Sequence, residues 1–286
     1  MLTTTSGLRL LGPGDLRQVQ ELLERDPVTN VFVDHRVRLT RLDPRWLGGE
    51  MWGYLDRGEL VSLCHSAANL VPVTVSPAGH DNAALEAFVT RAVAKGRQCS
   101  SIVGRADAVH QLWEGVQPYW GRPRLVRPAQ PFLTLDHAPR AAADPLVRRV
   151  RDDEFEIIYP ACVQMFIEEV GISPEIGGGR DLYRARVRQM IAKGHAFARI
   201  EDGEVMFKAE VGSVTPHACQ VQGVWVPPAR RGEGLSAAGM AAVVEQALAD
   251  IAPVVTLYVN DHNVAARRAY ERIGMVQRCT FSTILF

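Results

Sequence analysis

The run Arg230, Arg231, Gly232, Glu233, Gly234 combines two cations with two glycines at a point where the chain changes its hydrophobic period. Upstream, residues 219–226 read as a strand, and Pro227 and Pro228 end it because proline brings no N–H to a ladder. Downstream, an Ala-rich helical pattern covers about residues 235–248. A strand, a glycine turn and a helix start in that order make an anion cradle. Glycines let backbone N–H groups approach a ligand, and the first helical turn presents unpaired N–H groups with a partial positive charge. The two guanidiniums add charge-assisted donors. A diphosphate suits such a cradle. The loop is not the lysine-bearing loop of nucleoside triphosphatases, because Leu235 follows the last glycine. Nor is it the dinucleotide fingerprint, whose third glycine would fall on Ala237.

A second group follows after a stretch that suits a helix and a turn: Asn263, Tyr270 and Gly274, in the order strand, Asn, helix, Gly. Asn263 and Tyr270 are seven residues apart, two helical turns, and so share a helix face. The asparagine also suits an N-cap. Together the two groups resemble the GNAT superfamily of N-acetyltransferases. In that superfamily the pyrophosphate loop reads Gln or Arg, two free positions, Gly, one free position, then Gly or Ala. Arg231, Gly234 and Ser236 fall on those places, Ser236 being a mild departure. The resemblance covers about residues 146–286. Residues 1–130 match as a degenerate copy that lacks the Arg and the Gly-x-Gly.

The resemblance implies acetyl-CoA as co-substrate, no metal, and direct attack of a neutral amine on the thioester without a covalent enzyme intermediate. Backbone groups of Val224, Trp225 and Val226 would pair with the pantetheine arm like an added strand, one N–H polarising the thioester carbonyl. Arg231, Gly232, Glu233, Gly234, Leu235 and Ser236 would hold the pyrophosphate, with Asn263 beside the cofactor. Tyr270 is the implied acid for the departing thiolate, a phenol whose ordinary pKa is about 10. The base is open. Gln220 and Gln222 stand where some relatives carry a Glu, and neither takes a proton usefully. Glu168, Glu169, Glu210 and His217 are candidates, as is a water chain. The Gly-rich segment 171–180 could order over the acceptor.

The elements that must position these residues recur in a repeated order. The first half opens with a strand at 8–11, a Gly-Pro-Gly-Asp turn and a helix at 16–23; the second opens with a strand at 146–150 and an Arg-Asp-Asp turn into a helix. Asp56-Arg57-Gly58-Glu59 and Glu201-Asp202-Gly203-Glu204 each separate two strand-like runs in the manner of a hairpin turn. Each half closes on a buried strand, a polar turn and an amphipathic helix. The pattern predicts a duplicated unit of mixed α/β (α+β) class; taken with the resemblance, it implies two tandem GNAT-like domains, each a mixed central sheet flanked by helices. The expected division is 1–137 and 146–286, with the Pro- and Ala-rich stretch 138–145 as linker. Trp46, Trp52, Trp113 and Trp120 read as core or interface aromatics.

Composition excludes several classes. The 286 residues are 47% hydrophobic and 22% charged, enough to bury two cores without metal or disulfide staples. Lys plus Arg equals Asp plus Glu at 32 each, so no global field favours nucleic acid or an anionic membrane, although 122–127 is locally Arg-rich. Cys64, Cys99, Cys162, Cys219 and Cys279 are odd in number and form no CxxC pair, which predicts reduced thiols. With no signal-peptide pattern and no long apolar stretch, the expected setting is the cytoplasm. The expected partner is an amine-bearing small molecule or protein acceptor. The alternatives are an acyl-CoA-binding module without turnover and aminoacyl transfer from tRNA, against which the neutral charge argues.

Overall fold

The computed structural model describes residues 6–74 and 82–286; the Pro- and Gly-containing segment 75–81 of the N-terminal half lies outside them. The chain forms two compact units. The first comprises Met1–Phe132, Tyr258–Asp261 and Gln277–Phe286, and the second Leu133–Leu257 and His262–Val276.

The first unit runs β1 (Gly7–Leu11), α1 (Leu16–Leu23), α2 (Val31–Thr40), α3 (Pro44–Leu47), β2 (Glu50–Asp56), β3 (Glu59–Ser66), β4 (Asn69–Thr74), α4 (Asn82–Lys95), β5 (Ser101–Arg105), α5 (Ala106–Trp120) and β6 (Leu125–Leu135). The second runs β7 (Arg148–Arg149), α6 (Phe155–Val170), α7 (Gly179–Ala192), β8 (Ala196–Glu201), β9 (Glu204–Val214), β10 (Cys219–Trp225), α8 (Leu235–Asp250), β11 (Val255–Tyr258) and α9 (Val264–Ile273). The last strand, β12 (Val276–Leu285), returns to the first unit and pairs antiparallel with β5, from Phe281↔Arg105 to Leu285↔Ser101. The sequence reading placed that strand with the C-terminal domain. Its Ile284 instead enters the core formed by Phe88, Leu112 and Val116, and the Phe286 ring meets Trp113 at a tilt and Trp120 edge-on. Strand order is β1-β2-β3-β4-β5-β12-β6 in the first unit and β11-β10-β9-β8-β7 in the second.

Strand alternation puts successive residues on opposite faces. Met51 and Leu63 join the core under α1 and α2, while Trp52 and Cys64 join the one under α4 and α5. The echo between halves reaches the backbone. Both hairpins turn through a non-Gly residue and a Gly of positive φ, Arg57 (49°) with Gly58 (88°) and Asp202 (49°) with Gly203 (79°). Both carry a register shift at the same place, between Tyr54 and Leu55 and between Arg199 and Ile200. In each unit the meander then meets a parallel strand over two rungs, Asn69↔Ser101 with Leu70↔Ile102 and Cys219↔Val255 with Gln220↔Thr256.

Three local expectations change. The strand expected at 146–150 shortens to Arg148–Arg149. Trp46 is 69% exposed and contributes little core, whereas Trp52 is buried. Residues 138–145 are fastened within the second unit, not a free tether. The Arg140 N–H donates to the Ile273 carbonyl at 2.9 Å and the Asp144 N–H to Ala238 at 3.0 Å, and Asp144 Oδ2 accepts from Arg199 at 2.9 Å. Of the five free cysteines, four are buried.

Glu154 fastens the entry to α6. Its buried carboxylate accepts from Arg148 at 2.8 and 2.6 Å and from the Arg151 N–H at 2.9 Å. The Arg148 hydrogen bond, opposed by burial and helped by the Arg151 N–H, lowers its pKa from 4.5 to about 2. Because the folded pKa lies below the unfolded one, this stability is present above about pH 4.5 and is lost as pH falls toward 2. Glu154→Gln is therefore expected to cost roughly 2 kcal/mol at neutral pH in urea unfolding, with the gap to wild type closing as pH falls from about 4.5 toward about 2. A gap independent of pH would show that the ionised carboxylate is not the stabilising species.

Candidate active site

β10 follows β9 as far as Trp225↔Lys208, yet its parallel pairing with β11 ends at Gln220↔Thr256. Beyond Gln220 the β11 side of β10 carries no rung among the described residues. The divergence coincides with a register shift between Gln222 and Trp225, at whose centre Gly223 has φ +60°. A side chain there would be strained, and its Cβ would lie 3.0 Å from Met165 Cε. Val224 and Trp225 are half-buried on this diverging segment and Val226 is buried just after it.

Past Pro227 the chain makes a short 3-10 turn (Pro228–Arg230), then swings through Gly232 (φ 91°) and Gly234 (φ 84°) into α8. Gly234 is the N-cap and supplies no side-chain cap, so the first N–H groups of a 16-residue helix are left to other partners. Leu235 and Ser236 are half-buried in that first turn; Gly232 and Gly234 are exposed. What fixes the helix is Gly239: a Cβ there would lie 2.7 Å from the ring of Phe207 on β9, so α8 approaches the sheet closely. The strand end, the glycine turn and the helix start lie where the sequence predicts them.

The side chains fall into three sets. Arg231 is tied back, its Nε donating to the Val226 carbonyl at 3.1 Å and its terminal nitrogen to Glu168 at 2.6 Å; the other Glu168 oxygen accepts from Trp225 Nε1 at 3.1 Å. Arg230 pairs with Glu233 at 3.3 Å. Glu168 thus joins the C-terminal end of α6 to the loop. Asn263 caps α9, its side chain accepting the Ala266 N–H at 3.1 Å. Tyr270, two turns on, is buried. Burial first, and then the nearby Glu169 carboxylate, push its phenol well up, so it stays protonated at neutral pH. The charge of the exposed Glu169 therefore reaches Tyr270.

Glu210 stands apart from both sets, in a cluster that sequence reasoning missed. Its Oε1 accepts from both terminal nitrogens of Arg186 at 3.1 and 3.0 Å and from Gln222 Nε2 at 2.8 Å. Burial alone would raise the Glu210 carboxyl. The charges of Lys208 and Arg186 and the hydrogen bonds outweigh it and hold the carboxyl below its ordinary range. A carboxylate so held is a weak base and suits charge positioning better than proton acceptance. The available signal was period-two charge, Lys208 and Glu210 on one face of an otherwise apolar strand. His217 lies in the β9–β10 turn, at the opposite end of β10 from the cradle, its N–H on Thr215 Oγ1 at 3.2 Å. The segment 171–180 is held by Tyr159, whose hydroxyl donates to Glu175 at 2.9 Å. Among the described residues no group of His, Cys, Asp and Glu could hold a metal ion, and no helix is long and apolar enough to cross a membrane.

Among its described residues the first unit carries a different set at the matching places. Its β4 pairs Val71 with His65 where β10 pairs Gln222 with Glu210. Its β3 carries Leu63 and His65 where β9 carries Lys208 and Glu210, counting from the matched hairpins.

Residues 165–275 match the model of the acetyltransferase (GNAT) family, and residues 49–158 match that of a domain of unknown function (DUF4081). No curated protein matches the chain. Among solved structures, a GNAT-family acetyltransferase from Colwellia psychrerythraea is 12% identical with a TM-score of 0.59, over 98% of this chain and 99% of that one. A GCN5-related N-acetyltransferase from Sphaerobacter thermophilus is 14% identical with a TM-score of 0.61, over 97% and 94%. A tandem GNAT protein from the clavulanic acid biosynthesis pathway is 13% identical with a TM-score of 0.56, over 98% of each chain. At such identities the likeness is one of fold. With the diverging strands, the glycine cradle and the family match on the same residues, the chain is a tandem GNAT-fold protein whose C-terminal unit carries an acetyltransferase (GNAT) family domain.

Proposed function

We propose that the C-terminal unit transfers an acetyl group from acetyl-CoA to an amine acceptor by direct attack. The observation that carries this reading is the parting of β10 from β11 directly before a glycine loop and an uncapped helix start. Those residues fit the cofactor. The diverging segment of β10 offers backbone groups to an extended amide-bearing arm, and the N–H groups from Gly232 to Ser236 suit a pyrophosphate. When bound, acetyl-CoA supplies the activated acyl group. The chain supplies a protonated phenol at Tyr270, a carboxylate at Glu169 near it for the acceptor's proton, and a guanidinium at Arg231. The first unit serves as structure, not as a second cofactor site. The reading places the protein in the cytoplasm, in keeping with its free cysteines.

A second reading, binding of acyl-CoA without turnover, draws on the engagement of Glu168 by Arg231 and of Glu210 by Arg186. The test is calorimetric titration of acetyl-CoA into wild type and Arg231→Glu, followed by a panel of amines. Micromolar binding that falls at least about tenfold in the variant, with CoA released by some amine, is expected. Binding with no turnover on any amine would leave the second reading standing. No binding by folded wild type would reduce the loop to a mere connection.

A further inference from the structure

Lys208 is the single lysine among the buried residues described, 2% exposed; its Nζ meets no oxygen or nitrogen acceptor among them, and the Cys162 thiol is only a weak hydrogen-bonding neighbour. On β9 its neighbours Phe207 and Ala209 point toward α8, so Lys208 and Glu210 face α6 and α7. Around them stand Cys162 and Met165 of α6, Tyr183 and Arg186 of α7, and Gln222 and Gly223 of β10. Two cations therefore share one carboxylate, whose Oε1 already accepts two bonds from Arg186 and one from Gln222. Burial raises the Cys162 thiol and the Tyr183 phenol and keeps both neutral, so neither supplies the missing anion. The cluster carries one surplus positive charge, an expensive arrangement unless an anion completes it.

The fold does not require this lysine. At the matching place in the first unit β3 has Leu63, packed in an apolar core. What surrounds Nζ points to the reaction site instead. A Cβ at Gly223 would lie 3.2 Å from it, so the bulge brings bare backbone over the ammonium. That backbone belongs to the half-buried segment where β10 leaves β11, next to the stretch read above as the cofactor slot. A surplus of one charge matches a carboxylate; a phosphate dianion would overshoot it.

We propose that the acceptor is an amino acid or similar amine bearing a carboxylate, and that Lys208 Nζ, under the Gly223 bulge, is the counter-ion of that carboxylate. The inference rests on the transferase reading and names the acceptor class for the same site. Free L-amino acids and their amides, assayed in pairs for CoA release from acetyl-CoA, test it. At least one acid is expected to exceed its amide about tenfold or more in kcat/KM, and Lys208→Met is expected to bring that ratio near one, chiefly through KM. Lys208→Met is also expected to melt a few degrees higher than wild type, since it removes an unpaired buried charge. Amides accepted as well as acids, no acid accepted by protein that binds acetyl-CoA, or a lower melting temperature for Lys208→Met would each overturn the inference while the transferase reading stands. Failure of wild type to bind acetyl-CoA would remove both.

Discussion

Replacing Tyr270 by Phe is expected to lower kcat for acyl transfer about a hundredfold while leaving the affinity for acetyl-CoA within about twofold. The ring is buried in α9, and Phe keeps its packing, so the variant deletes one hydroxyl and little else. Burial, with the Glu169 charge added, holds the phenol protonated well above the ordinary range. A raised pKa keeps the neutral, donating form as pH climbs, so ionisation of Tyr270 should not produce a falling limb in kcat between about pH 8 and about pH 10. The departing thiolate needs such a donor nearby, whereas holding the cofactor does not. Steady-state CoA release with the best amine of a panel, beside calorimetry with acetyl-CoA, separates the two. A kcat equal to that of wild type would demote Tyr270 to a packed residue bordering the slot.

The largest structural effect is expected at Gly239. Replacing glycine inside a helix by a residue with a side chain ordinarily gains up to about 1 kcal/mol. Here the new Cβ would lie 2.7 Å from the ring of Phe207, which is fully buried in the middle of β9. A core ring has no room to retreat, and overpacking of this kind costs about 3 kcal/mol. The clash exceeds the propensity gain, so Gly239→Val is expected to lower the melting temperature by roughly 6–10 °C. Because α8 carries the cradle at its first turn, the same displacement should weaken acetyl-CoA binding. A melting temperature at or above that of wild type would mean that α8 can lift off the sheet freely, and its close seating could not then be what aims the loop.

The sequence by itself determined whatever depends on neighbours a few residues apart. Pro227 and Pro228 had to end a strand, Gly232 and Gly234 take up the positive φ that the turn needs, and α8 begins at Leu235 as its period indicated. Both hairpins lie at their Asp-Gly and Arg-Gly pairs, and α1 spans Leu16–Leu23 as expected. Asn263 could be read as a cap because capping is a contact across three residues. The tandem mixed sheets followed from the same short-range periods taken in order.

Tertiary structure decided what depends on partners far along the chain. Nothing local assigns β12 to β5 across about 180 residues, because a strand pairs with whichever ladder its burial pattern and connections bring to it. A Pro- and Ala-rich stretch reads as a tether until a buried aspartate meets Arg199. Glu168, Glu169 and Glu210 were equal candidates on paper. Folding gave the first to Arg231, brought the second's charge within reach of Tyr270, and enclosed the third between Arg186 and Lys208. A carboxylate's chemistry is set by the charges and solvent around it, and those come from helices and strands that the chain brings together only on folding.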